Sequence, residues 1–233
     1  MASFIKIEGK ITKGIFLERP NRFLALVKVD EEVLPSYLPD PGRMLELLAP
    51  ETEVILHKVS EGNRKTKYDL IGVFHKKQTV SVDSRVSNKL VFEALKNKDI
   101  DEFSAYTLIK PEFSYGHARF DFLLTNEYER CLLEVKSCTL VKNGLAMFPD
   151  APTKRGRRHL KELIKAKEEG YKTCILFNVQ RTDAQVFTPN DEIDPKFGKT
   201  LREAALKGVE VYAYQSELVG NKIILRGKIK VEL

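Results

Sequence analysis

Through the first third of the chain, apolar and polar residues alternate at every second position, the period of a strand with one face buried. Ile5-Lys6-Ile7-Glu8-Gly9-Lys10-Ile11 alternates in this way, and Phe23-Leu24-Ala25-Leu26-Val27-Lys28-Val29 reads as a longer strand. Glu53-Val54-Ile55-Leu56-His57-Lys58-Val59 and Tyr68-Asp69-Leu70-Ile71-Gly72-Val73-Phe74 read as a pair joined by the polar connection 60–67. Short strands punctuated by Gly and Pro predict a small barrel. Between them, Leu38-Pro39-Asp40-Pro41-Gly42-Arg43-Met44 is a tight loop by its prolines and glycine, and a short helix is expected over the leucine-rich residues that follow it.

Beyond a boundary placed near residues 76–84 the pattern changes to helices alternating with strands, as in α/β domains. Residues 88–98 carry Leu90, Val91, Ala94 and Leu95 at helical spacing. Arg119-Phe120-Asp121-Phe122-Leu123-Leu124 and Leu132-Leu133-Glu134-Val135-Lys136-Ser137 read as neighbouring strands joined by a polar turn. Residues 155–169 form a basic amphipathic helix with Leu160, Leu163 and Ile164 inward. Lys172-Thr173-Cys174-Ile175-Leu176-Phe177-Asn178-Val179 is apolar enough for a central buried strand. Asp194-Pro195 is an N-cap with proline at the first helical position, and Gly208 closes that helix. Val209-Glu210-Val211-Tyr212-Ala213-Tyr214 is a further strand, and residues 223–231 are expected to fold around Gly227 as a terminal hairpin. The organisation predicted is two domains, 1–80 and 81–233.

Composition narrows the function classes. Of 233 residues, 42% are hydrophobic, which supports a core and argues against wholesale disorder. No apolar run is long enough to span a bilayer, and the N-terminus alternates like a strand rather than a signal peptide. Cys131, Cys138 and Cys174 are an odd count without metal-type spacing, so reduced, buried thiols and a cytoplasmic location are expected. The net charge of +6 suits a polyanionic partner.

The chemistry concentrates on the two neighbouring strands. Glu134 and Lys136, two apart on one strand, point the same way, and Asp121 can reach that face from the next strand. Both acids sit inside apolar runs, where a charge is costly without a counter-ion. Two readings stand for this trio. One is a structural salt bridge. The other is a site where the carboxylates hold Mg²⁺ or Mn²⁺ and the ammonium positions a water or steadies an anion, the chemistry of phosphodiester cleavage. The basic segment Lys154-Arg155-Gly156-Arg157-Arg158-His159 opens the following helix, whose N-terminal amides favour anions, and reads as a phosphate contact or as a solvated face.

Taken in order, Leu38-Pro39-Asp40-Pro41-Gly42-Arg43-Met44, Arg119-Phe120-Asp121-Phe122-Leu123, Glu134-Val135-Lys136-Ser137, Phe148-Pro149-Asp150-Ala151, Arg155-Gly156, His159-Leu160 and Asp194-Pro195 resemble the sugar fermentation stimulation protein A (SfsA) family. The acid followed by Glu-x-Lys on the next strand also resembles the PD-(D/E)XK nuclease superfamily. Pro39-Asp40 and Pro149-Asp150 do not precede Glu134 at strand spacing, so the superfamily's first acid maps to Asp121. The resemblance implies an N-terminal OB-like β-barrel followed by a restriction-endonuclease-like α/β domain with a mixed central sheet. It implies catalytic roles for Asp121, Glu134 and Lys136, with Asp121 and Glu134 as ligands of Mg²⁺ or Mn²⁺. Glu93 resembles the acid that many superfamily members place beside the metal, with a solvated helix face as the other reading. Asp150 is a further ligand or a loop cap.

The expected activity is hydrolysis of DNA by a divalent-metal-dependent nuclease; the alternative is a non-catalytic DNA-binding protein with a regulatory role in sugar metabolism. DNA is the expected partner, a homodimer is left open, and no membrane is involved. Arg43, Lys154, Arg155, Arg157, Arg158 and His159 are the expected nucleic-acid contacts, joined by the basic connection Arg64-Lys65-Thr66-Lys67. Phe16, Phe23 and Tyr37 are aromatic candidates for stacking in the barrel, with a core position as the alternative for each.

Overall fold

A computed structural model describes residues 2–59 and 64–233. Part of the connection 60–67 therefore lies outside the described residues. In chain order the elements are β1 (Phe4–Lys6), β2 (Ile11–Asn21), β3 (Leu24–Val29), β4 (Glu32–Tyr37), β5 (Glu53–Lys58), β6 (Tyr68–His75), β7 (Gln78–Ser81) and α1 (Arg85–Lys96). Then come β8 (Leu108–Tyr115), β9 (Ala118–Thr125), β10 (Arg130–Cys138), β11 (Val141–Lys142), β12 (Leu145–Phe148), α2 (Lys154–Glu168) and β13 (Lys172–Val179). The chain ends with β14 (Val186–Pro189), α3 (Pro195–Leu206), β15 (Glu210–Val219) and β16 (Lys222–Val231).

The first domain is a closed five-stranded barrel of the OB type. β2 pairs with β3 and β5, β3 with β4, and β5 with β6. A short parallel pairing of β4 with β6, Ser36 opposite Tyr68 and Tyr37 opposite Asp69, closes the circle and removes the open edges. Phe16, Val27, Val54, Leu56, Leu70 and Val73 fill it. The segment 38–48 plugs one end with Leu38, Met44 and Leu47, all buried. No helix forms there: Met44 takes a left-handed φ of 48°, which breaks a helical run before it starts.

The second domain is a mixed sheet in the order β11-β12-β14-β16-β15-β13-β10-β9-β8. β10, β13 and β15 run parallel, linked through α2 and α3, while β8, β9 and β16 run antiparallel to their neighbours β9, β10 and β15. Side chains of α1 pack on one face with Leu133, Val135 and Leu176. Those of α2 and α3 pack on the other with Leu132, Ile175 and Phe177. This is why β10 and β13 read as continuous apolar runs: both faces are covered.

Two local expectations change. The chain's first strand joins the second domain, where β1 pairs with β16, Phe4 opposite Ile224. β16 runs straight through Gly227 as one strand. The reversal lies earlier, between β15 and β16, where Gly220 takes a φ of 58° that Gly227 does not. The three cysteines are free and buried.

Leu163 of α2 is fully buried between the helix and the sheet. Leu163→Ala is expected to cost about 3 kcal/mol and to lower the melting temperature by roughly 6–12 °C. Leu206→Ala, at a side chain 89% exposed, should move it by less than about 2 °C. Thermal denaturation of the two variants checks the difference.

Candidate functional site at the domain junction

The antiparallel ladder between β9 and β10 runs from Arg130 opposite Thr125 to Leu133 opposite Phe122, and there it stops. The next two residues facing one another are Glu134 and Asp121. Instead of a backbone partner, the Val135 N–H donates to Asp121 Oδ2 at 2.7 Å. The alternation of β9 breaks at the same residue: Phe120 packs toward α2, whereas Phe122 packs toward α1. The ladder thus splits at Asp121, and its carboxylate closes the gap. Asn88 of α1 holds the other oxygen, donating to Oδ1 at 2.5 Å.

Glu134 lies on the α2 side of β10 and is 2% exposed. Its Oε1 accepts hydrogen bonds from Lys136 Nζ and from His159 Nδ1, the latter at 2.5 Å. Arg155 Nε donates to His159 Nε2 at 3.4 Å. That chain sets the ring's roles, with Nδ1 as donor and Nε2 as acceptor. Glu134 Oε2 is buried and has no hydrogen-bond partner among the described residues. A buried carboxylate oxygen left without a donor is costly, and its chemistry fits a cation.

Burial works against charge on Glu134, but Lys136 and His159 outweigh it and hold the carboxyl below its ordinary range. Asp121 goes the other way. Burial, and then the neighbouring charge of Glu134, push it up to about 6 against the hydrogen bonds from Val135 and Asn88 and the charge of Lys136. Two close carboxylates whose affinities for protons are driven apart mark a place that a divalent cation would relieve.

These groups line a cleft of about 460 Å³ at the junction of the two domains. Asp121, Glu134 and Lys136 form its floor, the start of α2 with Thr153, Arg155 and Gly156 one wall, and Arg22, Asp40 and Gly42 of the barrel another. Arg19 pins the barrel's loop by donating to the carbonyls of Arg22, Asp40, Gly42 and Arg43 at 2.6–3.1 Å. Asp150 leans on this loop from the second domain, accepting from Met44 N at 3.4 Å. A Cβ on Gly42 would come within 2.3 Å of Asp150 Oδ2, so glycine is what allows this approach. Burial, with Asp150 adding its charge, pushes Asp40 up to about 7. Burial raises Asp150 as well.

The cleft brings together Asp121, Glu134, Lys136, Asp150 and Arg155 from the sequence expectations. It places others elsewhere. His159 is 2% exposed and sits behind Glu134 rather than facing a phosphate. Arg157 is committed to Asp194, the N-cap of α3, at 2.5–2.7 Å, and so ties the starts of α2 and α3 together. Glu93 pairs with Lys96 and lines a separate groove with Lys89 and Arg64, so the residue of α1 that reaches Asp121 is Asn88. Arg43, Lys154 and Arg158 are exposed beside the cleft-forming segments without lining the cleft. Asn88 and Asp40 were missed as site residues; Asp40 had a signal in the Pro-Asp-Pro-Gly loop, whereas Asn88 is one polar residue on an amphipathic helix and had none.

Among the described residues, no three His, Cys, Asp or Glu side chains gather about one point. Protein ligands for a cation at Asp121 and Glu134 would therefore be the two carboxylates and nearby backbone carbonyls. Water would complete the shell, the arrangement Mg²⁺ prefers.

Two protein-family models match the chain: "SfsA N-terminal OB domain" over residues 17–82 and "Sugar fermentation stimulation protein RE domain" over residues 85–222. Similar curated proteins are the sugar fermentation stimulation protein homologs of Caldanaerobacter subterraneus subsp. tengcongensis and Clostridium kluyveri. Each is 46% identical, over 97% and 96% of this chain and 99% and 97% of the respective relative. A solved structure, described as "The structure of Pyrococcus Furiosus SfsA in complex with Ca2+", superposes with a TM-score of 0.90. It is 31% identical and covers 98% of this chain and 100% of its own.

Asp40 generates a stability prediction. Its carboxyl titrates near 3.8 when exposed and at about 7 when folded. The folded state thus holds the proton more tightly. The cost of ionising Asp40 is absent below about pH 4, grows as pH rises and is complete above about pH 7. Asp40→Asn keeps an acceptor for Gly42 N–H and removes that cost. The variant should gain melting temperature over wild type as pH rises from 4 to 7 and hold a constant lead above it. A lead that does not change with pH would show that Asp40 ionises freely in the fold.

Proposed function

The chain belongs to the sugar fermentation stimulation protein family, and we propose that it is a divalent-metal-dependent nuclease that hydrolyses phosphodiester bonds in DNA, with a second domain of the PD-(D/E)XK kind. The observation that carries this reading is the unpartnered, buried Oε2 of Glu134 in a cleft shared with Asp121 and Lys136. A structural salt bridge would satisfy Lys136 and Glu134 and would not require a second carboxylate beside them. The relative from Pyrococcus furiosus is described in complex with Ca²⁺, a cation that takes oxygen ligands of the same kind as Mg²⁺ and Mn²⁺.

Asp121 and Glu134 would hold Mg²⁺ or Mn²⁺, together with the Val135 carbonyl. The bound ion would supply Lewis-acid polarisation of a phosphoryl oxygen and a more acidic water. The residues of the chain do the remainder. Lys136 and His159 occupy Glu134 Oε1, which leaves Oε2 for the ligand. Asn88 and the Val135 N–H orient Asp121. Lys136 places a positive charge where negative charge develops on the phosphoryl oxygens. Arg155, exposed at the start of α2, offers a cation to a neighbouring phosphate beside the helix's free amides.

Purified protein with Mn²⁺ or Mg²⁺ is expected to cut DNA and to stop cutting in EDTA. Asp121→Ala should lower the rate by about a thousandfold or more while binding in EDTA persists, and Lys136→Ala by about a hundredfold. Gel-based cleavage and fluorescence anisotropy measure the two properties separately. Wild-type protein that binds DNA yet cuts under no divalent metal would sink the enzyme reading and leave the regulatory DNA-binding one.

A further inference from the structure

Beside the cleft the barrel carries an aromatic surface that its core does not use. Of the three aromatic candidates in this domain, Phe16 is core at 2% exposure, whereas Phe23 is 43% exposed. Phe23 immediately precedes β3, and its carbonyl accepts from Leu38 N at 3.0 Å, which brings it alongside Tyr37 at the end of β4. The two rings stack, with centroids 6.2 Å apart and planes 20° from parallel. Arginines surround the pair. The Arg22 guanidinium lies 5.9 Å from the Phe23 centroid, and those of Arg64 and Arg85 lie 5.2 and 5.7 Å from the Tyr37 centroid. What sets Phe23 apart is its setting: a 43% exposed ring backed by a second aromatic ring, with an arginine on its cleft side.

The position of this surface matters as much as its chemistry. Arg22 also lines the cleft that holds Asp121, Glu134 and Lys136. At the far end, Arg64 and Arg85 line the groove between the barrel and α1. Arg22, Phe23, Tyr37 and Arg85 therefore form an unbroken track from that groove to the cleft. Asp69 and Asp83 hold the Arg85 guanidinium at 2.7 and 2.6 Å, and Asp69 holds Arg64 at 2.7 Å. These acids largely cancel the two charges and fix the guanidinium planes. What they leave is an aromatic surface suited to stacking more than to attracting phosphate. In duplex DNA the base faces are covered by one another and cannot reach such a surface; unpaired bases can.

We propose that Phe23 and Tyr37, framed by Arg22, Arg64 and Arg85, are a stacking platform for single-stranded DNA that leads an unpaired strand into the cleft. The assignment rests on the nuclease reading for its destination and stands apart from it for binding. Tyr37 and its two arginines back the Phe23 ring, whose exposed surface provides room for about one base, with Arg22 at the cleft side available for the phosphate between platform and floor. The substrate class that follows is DNA with an unpaired end, flap or single-stranded stretch.

The test measures binding alone, in EDTA, with the full chain. Fluorescence anisotropy compares a fluorescein-labelled oligo(dT) of about 20 nucleotides with a blunt duplex of the same length, a span that covers one OB-fold site. Wild-type protein is expected to bind oligo(dT) the more tightly. Phe23→Ala should weaken that binding by about tenfold or more, with duplex binding changed by less than about twofold, and Phe23→Trp should retain the wild-type affinity. Equal affinity for the two DNAs, or Phe23→Ala binding oligo(dT) as wild type does, overturns the platform. So does loss of oligo(dT) binding in Phe23→Trp as well as in Phe23→Ala, because stacking would then not be the property that matters. No cutting is measured, so absence of nuclease activity would leave the platform standing, and its loss would leave the metal-site reading untouched.

Discussion

A carboxylate buried in a sheet between two apolar layers needs positive partners, and Glu134 has them in Lys136 and His159. Leaving such a charge unpaired would cost on the order of 3–5 kcal/mol, a large share of a domain's net stability. Much of the second domain serves this one group. β10 places Lys136 on its face, α2 brings His159 over it, and Arg155 backs the imidazole from the preceding turn. Even so, one oxygen is left over. Oε1 is satisfied twice, whereas Oε2 has no donor among the described residues.

The barrel is part of the same construction. Its loop 39–44 forms one wall of the cleft, pinned by Arg19 and set against Asp150 through the missing side chain of Gly42. Buried Asp40 and half-buried Asp150 line the same cleft as Asp121 and Glu134, spread over its walls and floor rather than about one point. Their proton affinities are raised in three of the four cases, with burial the first cause. Lys136, Arg155 and Arg22 line the same opening. The cleft therefore pairs a carboxylate floor with cationic side chains at its walls.

Much of this was legible residue by residue. The strands β3, β5, β6, β10 and β13 follow from alternation or apolar runs, and α2 and α3 from helical spacing and the Asp194-Pro195 start. The pairing of Asp121 with Glu134 and Lys136 followed from two strands and a turn. What could not be read was what each charged side chain chooses. Arg157 and Arg155 stand in one basic run, yet one is tied to an N-cap and the other lines the cleft, because α3 comes to rest beside the first. Glu93 and Asn88 are both polar positions of α1, and only the packing of α1 on the sheet decides which meets Asp121. The alternation of residues 5–11 marks a strand and counts it with the 1–80 domain, whereas its partner β16 lies at the opposite end of the chain.

Local geometry thus determined the parts of this protein that depend on neighbours along the chain. A strand turns its side chains over every residue, so Glu134 and Lys136 had to share a face, and a Thr or Asp before a helix had to cap it. Tertiary structure decided everything that depends on which surfaces meet. The ladder between β9 and β10 splits at Asp121 because its carboxylate, held by Asn88 from across the sheet, takes the Val135 N–H. Glu134 keeps an oxygen without a partner among the described residues, α2 delivering its one imidazole to the other. The cleft exists because a loop more than a hundred residues away in the chain docks on Asp150. Contacts of that range carry no period in sequence, since they are set by packing and charge compensation between elements rather than by the geometry of any one of them.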